Sequence, residues 1–258
     1  MRTCNSSSPV LNGPRPYIIS GAFLTLAIIA LDLLFYPQTL EDAFITFRYS
    51  KHLAEGYGFG AWNVGGQKVE GYTNFLWMLM LAAGPPLGIS VLTLAKAVGL
   101  FCHVGLSLTL LLFPLFRKPE LTEPDTLASG DRDIFTMAAF VSALYLPMAW
   151  YATSGMETLG FAMLVGLCLL GPFMTTGALL PVSVSVLLVL MRPEGLLVAL
   201  ACNGFHLWRR RRFNLPFLPA SGALLACLVT VMLLTWFRMK VFDDVLPNTY
   251  YAKVAGAG

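Results

Sequence analysis

The chain has 258 residues, 57% of them apolar and only 12% charged, with a net charge of +3. An ordinary soluble domain carries about 25% charged residues, so a water-surrounded globule is excluded and helix packing in lipid becomes the organising problem. The net charge says little by itself, and no nucleic-acid partner is expected; what matters is where the basic residues sit, with Arg117, Lys118 and Arg132 flanking one loop and Arg209, Arg210, Arg211 and Arg212 forming a block.

In chain order, residues 1–16 are polar and no small-residue cleavage site follows the first apolar run, so the run at 17–36 reads as a signal anchor. Further apolar segments occupy 92–116, 134–150, 158–174, 178–191, 195–208 and 215–237, several of them close to the roughly 20 residues that a crossing helix needs. The pair 178–191 and 195–208 is short and reads as a broken hairpin. A shorter stretch, Phe75 to Leu87, ends at Pro85-Pro86 and is expected to dip into the interface. The expected fold class is therefore all-α, a polytopic transmembrane bundle of about seven crossing helices, with a juxtamembrane amphipathic helix in the loop at 37–91. The five cysteines show no metal-ligand spacing and read as packing residues.

Lys and Arg collect in cytoplasmic loops. With the N-terminus and its Arg2 and Arg15 inside, one parity satisfies every basic cluster, provided that the Phe75 segment does not cross. The loop at 117–133 and the arginine block are then cytoplasmic. Residues 39–74, 152–157, the Arg192-Pro193-Glu194-Gly195 break and 238–258 are then outside.

Those outer segments hold the residues that could carry chemistry. At 3.6 residues per turn, Glu41, Ile45, Arg48 and His52 share one helix face. Thr39-x-x-Asp42 also fits a capping box, as does Ser154-x-x-Glu157 ahead of the next span. Gly56-Tyr57-Gly58-Phe59-Gly60 lacks the preceding strand and following helix of a phosphate loop and reads as a flexible turn. Glu70, Tyr72 and Asn74 lead into the aromatic Phe75 segment, where Tyr72 and Trp77 could equally be interface-belt residues. Arg192 and Glu194 lie between two apolar half-length helices, where ionisable groups are costly unless they face protein, water or ligand; their mutual pairing is the plain alternative. Asp32 and Lys96 lie near enough to the interface to snorkel, and His103 reads as a packing residue. Beyond the last span, Asn248, Tyr251 and Lys253 mix an amide, an aromatic ring and a cation, and Asp243-Asp244 resembles a metal-binding pair only weakly.

Taken in order, Glu41-Asp42-Ala43-Phe44-Ile45-Thr46-Phe47-Arg48-Tyr49, Val69-Glu70-Gly71-Tyr72-Thr73-Asn74-Phe75-Leu76-Trp77, Thr153-Ser154-Gly155-Met156-Glu157-Thr158, Arg192-Pro193-Glu194-Gly195 and Leu246-Pro247-Asn248-Thr249-Tyr250-Tyr251-Ala252-Lys253 form a set that spans nearly the whole chain. This set resembles the GT-C membrane glycosyltransferases, most closely the branch that includes the mycobacterial terminal arabinofuranosyltransferases. The resemblance implies transfer of a sugar, with arabinofuranose a candidate, from a polyprenyl-phosphate donor to a glycan or glycolipid acceptor outside a bacterial cytoplasmic membrane. It also implies an acid of the first outer loop acting near the anomeric centre. Family members usually show two Asp where this chain has Glu41-Asp42, which leaves open which of the two acts. They also continue well past the last motif, so a C-terminally truncated chain, and with it a missing acceptor site, is an expectation of the resemblance.

The chemistry asks for these residue types. A hydroxyl needs a carboxylate to accept its proton as the C–O bond forms, and the leaving phosphate needs fixed cations. Asp42, with Glu41 beside it, is the candidate base. Arg192, Arg48 and Lys253 are candidate phosphate contacts, and Glu157 and Glu194 are candidates to orient sugar or cation. His52, Glu70, Tyr72, Asn74, Asn248 and Tyr251 complete the expected substrate-binding set. No cofactor is required, because cations alone can match a monophosphate leaving group; a divalent metal is compatible. Two rival readings are a flippase for lipid-linked sugars, motivated by the broken hairpin, and an inactive membrane partner, motivated by the short C-terminus. No inverted repeat supports the first.

Overall fold

The computed structural model describes residues 15–118 and 130–248, and these form ten α-helices without a strand. They are α1 Arg15–Phe35, α2 Ala43–Ala54, α3 Phe75–Ala82, α4 Val91–Phe116, α5 Gly130–Leu144, α6 Leu146–Thr153, α7 Thr158–Met174, α8 Leu179–Met191, α9 Gly195–Arg212 and α10 Leu218–Phe242. By length and composition three of them, α1, α4 and α10, can cross a membrane, or four crossings if α5 and α6 count as one span bent by 55°. The apolar helices α7 and α8 are shorter, at 17 and 13 residues. Large apolar side chains stay exposed along the long helices, among them Phe23, Leu26, Phe101, Leu225 and Met232. That is the surface a bilayer would cover.

Local chemistry explains where several helices begin and end. Ser90 caps α4 by accepting the Thr93 N–H at 3.0 Å. The segment expected as one helix at 134–150 breaks instead between Leu144 and Leu146, because Pro147 removes an amide donor and its ring crowds the preceding turn. Helix α9 runs past the expected end at Trp208 to Arg212, since arginines are good helix formers and four cations in the last turn suit its negative end.

Helix α4 packs against α1, α5, α6 and α7, while α8 packs against α7, α9 and α10. The main core joins Trp77, Leu81, Leu164, Leu188 and Ala199. A second core joins Leu24, Ile28 and Leu111. This alternation of chain direction gives the bundle two chemically different ends. One end gathers the C-termini of α1, α6, α8 and α10, the N-termini of α4, α7 and α9, and the helices α2 and α3; Leu40 N–H bonds Ser154 O at 3.0 Å there, and Arg238 meets Glu70 at 2.8 Å. At the other end Lys118 N–H bonds Phe173 O at 2.9 Å, Phe113 packs on Phe135, and Arg210 reaches Thr175 O and Pro216 O. Every described motif residue lies at the first end, and Arg117, Lys118, Arg132 and the arginine block lie at the second.

Two residues expected to snorkel are buried instead. Lys96, 4% exposed, donates to the carbonyls of Tyr36 and Gln38, which lie just past the end of α1. Asp32, 2% exposed, faces His103 Nδ1 at 3.0 Å, and His103 Nε2 donates to Ser142 O at 3.1 Å. An unpaired charge at such depth would be costly, and pairing meets that cost.

Candidate functional site

Helix α2 turns Ala43, Thr46, Phe47, Tyr49 and Ser50 inward. The expected four-residue stripe is not formed: Glu41 precedes the helix, whose N-cap is Asp42, while Ile45, Arg48 and His52 lie off the buried face. Ser50 Oγ bonds Met78 O at 2.9 Å and fastens α2 to α3. The turn before α2 is fastened to the 154–157 turn by the Leu40 to Ser154 bond, and Gly155 sits at φ 88° with Phe47 so close that a Cβ would lie 2.7 Å from its ring. Only glycine meets both demands.

A chain of polar side chains crosses this end. Asn74 and Thr46 exchange bonds at 3.2 and 3.3 Å, and Asn74 Nδ2 donates to Glu157 Oε2 at 2.8 Å. The other oxygen of Glu157 lies 3.5 Å from an Arg192 nitrogen, and Arg192 also pairs with Glu194 at 3.4 Å. Glu157 is 3% exposed, whereas the Glu194 side chain is 61% exposed. Arg192 thus joins a buried carboxylate to an open one, and the plain Arg192–Glu194 pairing is only half of its contacts. Both capping boxes are overturned. Helix α7 starts at Thr158 with Glu157 as its cap residue and no side-chain cap bond, and Asp42 makes no cap bond to α2. Glu157 is engaged by Asn74 and Arg192 instead. The Glu41 and Asp42 side chains are exposed at the start of α2, next to the turn that bonds Ser154, and make no hydrogen bond or ion pair among the described residues; their carbonyls accept the Phe44 and Ile45 N–H groups.

A second cluster lies nearby. Glu70, 4% exposed, pairs with Arg238 at 2.8 Å, and its carbonyl accepts the Asn248 N–H at 3.1 Å. Burial pushes the Glu70 carboxyl above its usual range, Arg238 draws it back, and Asp244 adds to the rise. Tyr72 packs edge-on against Tyr49 at 4.9 Å with its hydroxyl buried and without a hydrogen-bond partner among the described residues, and burial drives its acidity down. Tyr72 and Trp77 are both buried, so neither is an interface-belt residue; the Trp77 N–H donates to Gly155 O at 3.1 Å. Glu70, Asn248, Lys68 and Asp244 line a polar cavity of about 220 Å³.

Arg48 and His52 serve the glycine-rich turn. Arg48 donates to Trp62 O at 2.8 Å and to Asn63 at 3.1 Å and lies over the Trp62 ring; the His52 ring bonds Ala61 O at 2.6 Å. Gly56, Gly58 and Gly60 all have positive φ, which makes the segment a chain of turns. On their other side Arg48, Lys51 and His52 face a cleft of about 710 Å³ shared with Phe44, Ile89 and Leu92. Its lining is charged at α2, where Glu55 pairs with Lys51 at 3.7 Å, and apolar toward α4.

The structure therefore joins Asn74, Glu157, Arg192 and Glu194, sets Glu41 and Asp42 at the start of α2, and holds Glu70, Tyr72 and Asn248 in one neighbouring cluster and Arg48 and His52 in another. Tyr251 and Lys253 lie outside the described residues. Sequence reasoning missed Thr46 and Arg238, whose only signal was a polar residue on the buried face of α2 and a cation at the end of an apolar helix. Among the described residues no three His, Cys, Asp or Glu side chains converge as metal ligands would. A scan against protein-family models and searches of curated proteins and of solved structures find no match to this chain.

Proposed function

We propose that the chain is a multi-pass glycosyltransferase of the GT-C type, with seven crossings, set in a bacterial cytoplasmic membrane with its acidic end outside. It moves a sugar, with arabinofuranose the candidate, from a polyprenyl-phosphate donor to an envelope glycan or glycolipid. The observation that carries this reading is the Asn74–Glu157–Arg192–Glu194 chain with the unpaired Glu41 and Asp42 carboxylates at the start of α2, all at the end opposite the arginine block.

In the reaction, the acceptor oxygen bonds to the anomeric carbon and gives its proton to Asp42 or Glu41. The bond from that carbon to the lipid phosphate breaks, and the phosphate leaves with the electron pair. Glu157 is held by Asn74 and Arg192, so it orients rather than acts as base. Four carboxylates, Glu41, Asp42, Glu157 and Glu194, against the one guanidinium of Arg192 leave this cluster short of positive charge for a departing phosphate. Arg48 and Lys253 are the cations that would make up the difference, with a divalent ion a compatible alternative.

Membranes containing the chain, given a labelled polyprenyl-phosphate sugar, are expected to yield sugar bonded to acceptor. Glu157→Gln should lower that yield about 10- to 100-fold, since a hydrogen bond to a charged group contributes about 1.5–3 kcal/mol. Movement of intact sugar-lipid across the membrane with no transfer would make the protein a flippase instead.

A further inference from the structure

At the basic end, α9, the turn after it and the start of α10 enclose a cavity of about 510 Å³ lined by Leu207, Arg210, Arg211, Asn214, Leu215 and Phe217. Arg210 is fully buried. Its guanidinium donates to Pro216 O at 2.7 Å and Thr175 O at 3.4 Å, yet Nε has no partner, and no carboxylate pairs with it among the described residues. Two carbonyls orient this cation without neutralising it, and a buried guanidinium lacking an anion is poorly accommodated. The turn is built by Asn214, which holds φ 52°, and by Phe217, whose carbonyl accepts the Ala220 and Ser221 N–H groups at the start of α10. Exposed Arg211 supplies a second guanidinium at the rim.

We propose that this cavity binds the phosphate of an anionic phospholipid in the leaflet at the basic end. Phosphate matches paired guanidinium groups, here Arg210 inside the cavity and Arg211 at its rim. The surroundings favour a lipid over a soluble anion, because Trp208, Phe217 and Leu218 are all more than 60% exposed around the cavity and would lie along acyl chains while the headgroup sits inside. The site lies at the opposite end from the proposed transfer chemistry and stands independently of it.

The test is lipid retention by the purified full chain in mild detergent, read by native mass spectrometry. Phosphatidylglycerol should remain bound at least about tenfold more than phosphatidylcholine. Leu207→Trp, which fills the cavity, and Arg211→Gln, which removes an exposed cation without disturbing the fold, should each abolish that preference. Arg212→Gln, an equal loss of charge next to the cavity, should keep it. Equal loss in Arg212→Gln would show diffuse attraction and overturn the proposal. So would an undiminished preference in Arg211→Gln, or displacement of the lipid by inorganic phosphate.

Discussion

A chain carrying Glu41→Gln and Asp42→Asn together is expected to transfer sugar about 10²–10⁴-fold more slowly than wild type, the range over which a positioned general base acts. The same chain is expected to unfold at the wild-type temperature. Both side chains are exposed, Asp42 at the N-cap of α2 makes no side-chain cap bond and its replacement Asn suits that position equally, and neither side chain is ion-paired among the described residues, so the exchange changes stability by less than about 0.5 kcal/mol. The split between activity and stability is what makes the prediction specific. Single substitutions then tell the two acids apart: the base is the one whose amide form accounts for most of the loss. Full transfer by the double variant would remove the proposed base, however well Glu157 and Arg192 are arranged.

Gly195→Ala should act in the opposite manner, through the scaffold. A Cβ at Gly195 would lie 2.1 Å from Leu188 O and 2.5 Å from Leu188 C, both main-chain atoms of α8 that cannot rotate aside. Accommodating one methyl there means prising α9 from α8 at the break that carries Arg192 and Glu194. Overpacking of this kind costs about 3 kcal/mol at the upper end of its usual range. Arg192 would be drawn away from Glu157, so thermal stability in detergent and sugar transfer should fall together. Gly204→Ala, in the same helix with open space around it, serves as the control. It should leave transfer intact and raise stability slightly, because alanine suits a helix interior by about 0.5–1 kcal/mol over glycine. Equal losses in the two variants would mean that the close approach at Gly195 is not what fixes the break.

Much of the helical layout was legible in the sequence, because apolar runs and their breakers are local signals. The run at 158–174 coincides with α7 and the run at 92–116 with α4 to within one residue, and the Arg-Pro-Glu-Gly break falls between α8 and α9. Length was less legible than position: only three helices, or four spans with the bent pair, meet the demand of a bilayer by themselves. Of the pairings only the local Arg192–Glu194 contact was legible; the long-range ones were not. Asp32 and His103 are 71 residues apart and Glu70 and Arg238 are 168 apart, and helical periodicity reports which face a residue occupies, never what meets it there. The capping boxes misled for the same reason. Ser154-x-x-Glu157 has the right local spacing, but Asn74 and Arg192 from distant helices outcompete the backbone for that carboxylate.

The most direct measurement is labelling of single introduced cysteines in intact cells with a membrane-impermeant maleimide, read against the wild-type background. Glu41→Cys and Glu194→Cys should both react from outside, whereas Asp133→Cys and Arg212→Cys should react only once the membrane is permeabilised. Reaction of Glu41→Cys and Glu194→Cys from opposite sides would contradict the account, because carboxylates separated by a bilayer cannot serve one sugar.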